Sequence, residues 1–272
     1  MSFLKTILHI LYFEVETPTL YGSFHIASLA LCFLAAIVSV ICSPRPKEST
    51  VRRVLLISSL VVMVLEVYKQ FVFTFRFGDT GMVMDYQWYA FPFQFCSTPM
   101  YVGLAAALVR HRKIHKCLCA YLATFSFFAG LAVMFYPSTV FVRTLGINIQ
   151  TMVCHGTMAA LGIYLLFSGY VRPTFKTLLQ ALPVFMVLIS TAMAMNEVAY
   201  RVHLLETETF NMFFISPHCA PSLPVYSLVQ AVVPFPWSVV LYILGFSLAA
   251  GIVLALAALV QSRLRRRQRI SY

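Results

Sequence analysis

The chain has 272 residues, of which 60% are apolar and only 11% charged. Soluble domains carry roughly 45–50% apolar and about 25% charged residues, so the composition argues against a water-soluble globule. The net charge of +11 would suit a nucleic-acid binder, but a basic binding face needs solvated surface that this chain lacks, and no nucleic-acid partner is expected.

In chain order, residues 1–19 place Phe3, Leu4, Ile7, Leu8, Leu11 and Tyr12 at helical spacing, which reads as a short interfacial helix or a frayed terminus. Seven runs of membrane-spanning size follow, near Leu20–Cys42, Val54–Phe75, Gln87–Val109, Cys117–Tyr136, Ile149–Phe167, Thr177–Tyr200 and Pro236–Val260. The first run is longer than a signal-peptide core and lacks a basic segment and cleavage site in the usual order, so it is expected to stay as a helix. The connector Arg201–Phe235 is the longest. With Pro236 it holds Pro217, Pro221, Pro224 and Pro234, and it reads as an outer cap over the bundle. Residues 263–272 form a basic tail suited to anionic headgroups or to a stop-transfer anchor. The fold expected is all-α: a polytopic membrane protein with one seven-helix domain over residues 20–262.

Charge placement sets the expected orientation, because cytoplasmic loops retain Lys and Arg. Of the 20 basic residues, 15 fall on one side: Arg45, Lys47, Arg52 and Arg53; Arg110, Arg112, Lys113 and Lys116; Arg172 and Lys176; and the five arginines of the tail. Lys5, Arg76, Arg143 and Arg201 lie opposite, with eight of the nine acids off the basic side. The N-terminus is thus placed outside and the C-terminus in the cytoplasm, in the cell membrane.

Ionisable groups inside spans are costly and mark functional candidates. The second span carries Glu66 and Lys69 on one face, three residues apart. The third carries Gln94, Cys96, Ser97 and Thr98, the fifth His155, and the sixth ends with Asn196, Glu197 and Tyr200. At about 1.5 Å rise per residue, Cys96 and His155 lie roughly 10–14 Å below the outer ends of their spans. Glu66, Lys69, Asn196 and His25 share that outer half, so one polar cavity there accounts for them all.

Each group also has a plain reading. Glu66 and Lys69 can clamp each other, His155 can be an interhelical strut, and Cys96 a small inert residue. Together, a Cys and a His at matching depth suit nucleophilic catalysis, since imidazole can hold a reactive thiolate. His111, His115, Cys117 and Cys119 match no known zinc spacing. The last span has no lysine for a retinal Schiff base, and no phosphate loop, dinucleotide fingerprint or serine elbow occurs. No metal and no cofactor are expected.

The segments Phe91-Pro92-Phe93-Gln94-Phe95-Cys96, Cys154-His155-Gly156, Met195-Asn196-Glu197, Asn211-Met212-Phe213 and Val233-Pro234-Phe235-Pro236-Trp237 resemble, in order and placement, the motif set of the transmembrane protein 164 / YwaF family. The likeness covers about residues 54–245. It implies a seven-helix bundle and, from the animal members, a lipid acyltransferase that passes a fatty acyl chain through a cysteine thioester to a lysophospholipid. By motif position Cys96 would be the nucleophile and His155 the general base. Gln94 stands where many bacterial members have His, and Asn211 is displaced by about one position.

The expected partner is thus a phospholipid or lysophospholipid in the outer leaflet. Gln94 and Asn196 would donate hydrogen bonds to the oxyanion. Glu66, Lys69, Tyr200 and His25 would bind substrate or orient the base. Two alternatives remain open: a lipase or thioesterase using the same Cys/His pair, and a non-enzymatic transporter or receptor with an outer polar cavity.

Overall fold

The computed structural model describes residues 10–78, 81–220 and 223–270. Phe3, Leu4, Lys5, Ile7, Leu8 and Pro221, and the side chains of Arg76 and of the tail arginines beyond Leu264, lie outside the described residues. The elements are α1 (Ser23–Cys42), α2 (Glu48–Val72), a hairpin of β1 (Phe75–Gly78) and β2 (Gly81–Met84), α3 (Thr98–Leu108), α4 (Arg112–Phe135), α5 (Leu145–Phe167), α6 (Phe175–Arg201), the short α7 (Pro224–Val232) and α8 (Trp237–Ile270).

Among the described residues five helices, α1, α4, α5, α6 and α8, are long and apolar enough to cross a membrane. Their outward faces are apolar: α1 exposes Ile26, Leu31, Leu34 and Ile41, and α8 exposes Leu244, Leu248, Ile252 and Leu256. Apolar surface on this scale marks contact with lipid. α1 buries only His25, Cys32 and Ala36. α5 is the axis of the bundle and is buried on nearly all sides, from Ile147 to Leu166.

One run differs from the sequence expectation, and two other segments add detail to it. The third run, Gln87–Val109, is helical only as a 3-10 turn at Trp88–Ala90 and as the 11-residue α3. Pro92 biases its predecessor away from the helical region, and Phe91 takes φ −47° and ψ 136°. The helix restarts where Pro99 fits its first turn. The fold is all-α, with one short hairpin added beyond the end of α2, where β1 and β2 pair antiparallel with Phe75 opposite Met84. The basic tail continues the last helix, α8, as far as Ile270. Arg and Gln are good helix formers and nothing in that stretch interrupts the helix.

The two ends of the bundle are tied differently. At one end the segment after Ile10 is pinned to the connectors: Tyr68 Oη donates to the Leu11 carbonyl at 2.7 Å, Tyr12 Oη to that of Phe75 at 2.6 Å, and the Leu145 N–H to that of Phe13 at 2.9 Å. At the other end Arg52 donates to the carbonyls of Ala106, Ala107 and Val109 at 3.1, 2.9 and 2.7 Å. This cation caps the negative end of α3, and the described loop cations gather around it.

Between the ends, α4 and α5 touch closely. A Cβ on Gly130 would lie 2.8 Å from the His155 carbonyl and 2.7 Å from Met158 Cβ. Only glycine lets the two backbones approach this far. One turn earlier α4 widens into a π-turn at Leu122–Ser126, where Phe125 stacks on Phe185 of α6 at 4.2 Å.

Candidate functional site

The break in the third run creates the site. Cys96 sits just ahead of α3, in a turn where the N–H groups of Ser97 and Thr98 both donate to the Gln94 carbonyl, at 2.9 and 3.1 Å. The Cys96 side chain is half-buried. A void of about 10 Å³ lies beside it, lined by Ser58, Ser59, Met100, Cys154 and Thr157 among others. That is room for about one water molecule.

The turn is held from two directions. On one side Cys154 of α5 donates its thiol to the Cys96 carbonyl at 3.4 Å. On the other, the Gln94 amide donates to the Asn211 carbonyl at 3.3 Å, and Phe213 packs edge-on against Phe95 at 5.2 Å. Phe213 and Phe214 both take left-handed backbone conformations, φ 57° and 58°. Bulky residues adopt such angles only where their surroundings enforce them.

Asn196 of α6 does the enforcing. Its Oδ1 accepts the Met212 N–H at 2.7 Å while its Nδ2 donates to the Met212 carbonyl at 3.0 Å, and Asn211 Oδ1 accepts the Ser216 N–H at 2.9 Å. The segments Phe91–Cys96, Asn196 and Asn211–Phe213 therefore fold as one unit around the cysteine. Asn196 is a clamp on that unit, with its carbonyl and one amide hydrogen committed to Met212.

On α2, Lys69 Nζ lies 2.7 Å from Glu66 Oε1, the pairing that their three-residue spacing leads one to expect. Glu66 is buried and also accepts from Gln70 Nε2 at 2.8 Å and, on its second oxygen, from Gln150 Nε2 of α5 at 3.3 Å. Gln70 in turn donates to the Ala90 carbonyl and accepts from Tyr86 Oη at 2.7 Å. The pair thus ties α2 to α5 and to the segment that leads into Cys96.

His155 is 5% exposed. Its Nδ1 bonds the Thr151 carbonyl one turn back at 2.7 Å. A carbonyl only accepts, so Nδ1 carries the proton and Nε2 presents its lone pair. Among the described residues Nε2 has no hydrogen-bond partner, and no hydrogen bond joins it to Cys96 Sγ. The contact between α5 and the Cys96 turn comes through Cys154, the residue before. Among the described residues Ser97 Oγ is buried with no hydrogen-bond partner, directly after Cys96 in the chain.

The remaining sequence candidates lie elsewhere. His25 is fully buried between α1 and α4, where Nδ1 accepts the Tyr21 N–H at 2.9 Å and Nε2 donates to the Met134 carbonyl at 2.7 Å. Tyr200 is 49% exposed and stacks on His218 at 3.6 Å, beside Glu197. Ser97, Gln150 and Cys154 were not assigned to the site by sequence reasoning. Gln150 and Cys154 are one helical turn apart, so projecting α5 onto a helical wheel would have placed both on the face that meets Glu66 and Cys96.

The sequence pattern of the TMEM164 family matches residues 20–259. No curated protein and no solved structure matches the chain significantly.

Proposed function

The chain belongs to the TMEM164 family, and from that premise we propose that it is an integral membrane acyltransferase that moves a fatty acyl chain through a thioester at Cys96. The acceptor is a lysophospholipid or a related hydroxyl compound, and the enzyme works in the outer leaflet of the cell membrane. Seven membrane crossings, with α2 and the segment ending in α3 completing the five long helices, put the N-terminus outside and the basic end in the cytoplasm. The distribution of loop cations supports this orientation.

One observation carries the reading. A half-buried thiol sits next to a hydroxyl, that of Ser97, that has no partner among the described residues, and its turn is held by Cys154, the chain neighbour of a histidine whose Nε2 is open. In the first half-reaction His155 Nε2 takes the thiol proton and Cys96 Sγ attacks the ester carbonyl. The carbon–oxygen bond breaks and the leaving alcohol takes the proton from His155. In the second, His155 takes the proton of the acceptor hydroxyl, whose oxygen attacks the thioester, and the thiol is released with that proton. This mechanism requires Sγ and Nε2 to come within hydrogen-bond distance in the substrate complex, where catalytic contacts tighten. Gln94 Nε2 donates to the Tyr89 and Asn211 carbonyls and would have to release one of them to serve the oxyanion, and Asn196 acts through the loop it holds. Water as acceptor gives a lipase or thioesterase with the same residues.

Incubation of the purified protein with a phospholipid labelled in its acyl chain tests this reading. A hydroxylamine-sensitive adduct is expected on the native protein and not on Cys96→Ser; an adduct that persists in the variant, or none on the native protein, overturns it. A second reading, a transporter or receptor for a small solute, is favoured by the absence of a Cys96–His155 hydrogen bond and by the mutual pairing around Glu66. It predicts that Cys96→Ala is silent while Glu66→Gln abolishes uptake or binding.

A further inference from the structure

At the basic end, α4 and α6 border a cavity of about 560 Å³, within the range of about 300–1,000 Å³ typical of small-molecule sites. Arg112, Lys116, Arg172 and Lys176 line it. Among the described residues none of the four forms an ion pair or a side-chain hydrogen bond. Glu48 is the one acid in the lining, and both Nε and Nη2 of Arg52 hold its Oε1, at 3.0 and 2.8 Å. That pairing also keeps the Glu48 carboxyl below its ordinary pKa, with smaller help from His115 and Arg112, so one carboxylate faces Arg52 and the four cations together.

Retention of cations on the cytoplasmic side accounts for which side these residues are on. It does not account for their convergence on a cavity, nor for their positions on the helices. α4 starts at Arg112 and α6 at Phe175, just before Lys176, and neither has an acid in its first turn. A helix start is already electropositive, so cations there oppose the dipole unless an anion sits against them. The inner wall is rigid and polar. His115 is buried, its Nδ1 donating to the Ala106 carbonyl at 2.8 Å and its Nε2 accepting from Tyr170 Oη at 2.7 Å.

We infer that this cavity binds a phosphate-bearing anion, with Arg112, Lys116, Arg172 and Lys176 contacting the phosphoryl oxygens. Arginine offers paired donors to phosphate and lysine a point charge, and the volume leaves room for the group esterified to it. The phosphate belongs either to the headgroup of an anionic phospholipid in the adjacent leaflet or to a soluble phosphate ester. The site is separate from Cys96, and Cys96→Ser leaves it intact.

The test uses the full chain in phosphatidylcholine nanodiscs, with two arms. In one, inorganic phosphate and glycerol 3-phosphate are titrated as soluble probes; in the other, phosphatidic acid is introduced into the disc and retained lipid is read by native mass spectrometry. Saturable binding in either arm supports the site, and the arm that responds names the source. The double substitution Arg172→Gln with Lys176→Gln is expected to weaken that binding about tenfold or more, as loss of charge-assisted hydrogen bonds does. The charge-preserving exchange Arg172→Lys with Lys176→Arg keeps most of it, and Arg263→Gln, outside the cavity, leaves it unchanged. Should the double variant fail to unfold cooperatively, the exposed Lys176→Gln alone carries the test. No saturable binding in either arm, or a loss in Arg263→Gln equal to that in the cavity variants, overturns the inference.

Discussion

His25 and His155 are both buried in the same bundle, yet one has every hydrogen-bonding group filled and the other does not. His25 bridges the Tyr21 N–H and the Met134 carbonyl, so each ring nitrogen is committed to backbone. His155 commits only Nδ1, to a carbonyl on its own helix, and leaves Nε2 open. The same contrast separates Asn196, saturated by Met212, from Ser97, whose hydroxyl is buried without a partner. Filled groups hold the bundle together and open ones are free to react, because leaving a buried polar group unpaired costs about 1–3 kcal/mol that packing alone does not recover. Open groups also occur on Ser126, Tyr164, Ser168, Tyr226, Gln230 and Ser247, so those at Ser97 and Gln94 bear on chemistry only through their place beside the Cys96 thiol.

The largest effect should come from exchanging the two histidines' roles in experiment. His155→Ala is expected to slow thioester formation by about 10²–10⁴, the usual contribution of a general base, with only a modest loss of stability. His25→Ala is expected to do the reverse, costing about 2–3 kcal/mol for two lost hydrogen bonds while adduct per folded molecule is kept. Thermal unfolding in detergent, set beside adduct yield, separates the two, and equal behaviour of both variants would break the comparison. Lys69→Met comes next. It leaves Glu66 charged and buried with only amide partners, at an expected cost of about 3–5 kcal/mol, and Glu66→Gln in the same chain should restore most of that stability but not the rate.

Asn196→Ala should follow at about 2–3 kcal/mol, from two hydrogen bonds and the left-handed turn they support. Because Asn196 acts through the loop, adduct formation should fall with the loss of folded protein. Asn196→Asp, which keeps the acceptor for the Met212 N–H, should recover part of both.

The sequence made some of this contrast readable and hid the rest. Apolar runs define the long helices because burying or exposing about 20 such residues to water is decided by composition alone. The Glu66–Lys69 pair was readable because helix geometry places residues three apart together. The split of the third run follows from Pro92 and Pro99, although apolar content masks it in a window average. Whether a histidine is filled or open was not readable. The partner of His25 Nε2 lies 109 positions away in sequence, and a carbonyl leaves no mark in the identity of the residue that carries it. Depth alone therefore grouped His25 with His155, and only tertiary contacts separate them.

Ser97→Ala is the smallest test and the one that isolates the idea. The hydroxyl has no partner in the structure, so its removal takes away no native hydrogen bond and relieves a buried unsatisfied group; stability should stay within about 0.5 kcal/mol of native or rise. A thiolate at Cys96 would lose a charge-assisted donor, and the rate of thioester formation should fall about tenfold, near the lower value for such a bond. A filled residue cannot give this combination, because removing it harms fold and function together. Unchanged stability with an unchanged rate would place Ser97 among packing residues and leave His155 Nε2 as the open group on which the proposed mechanism rests.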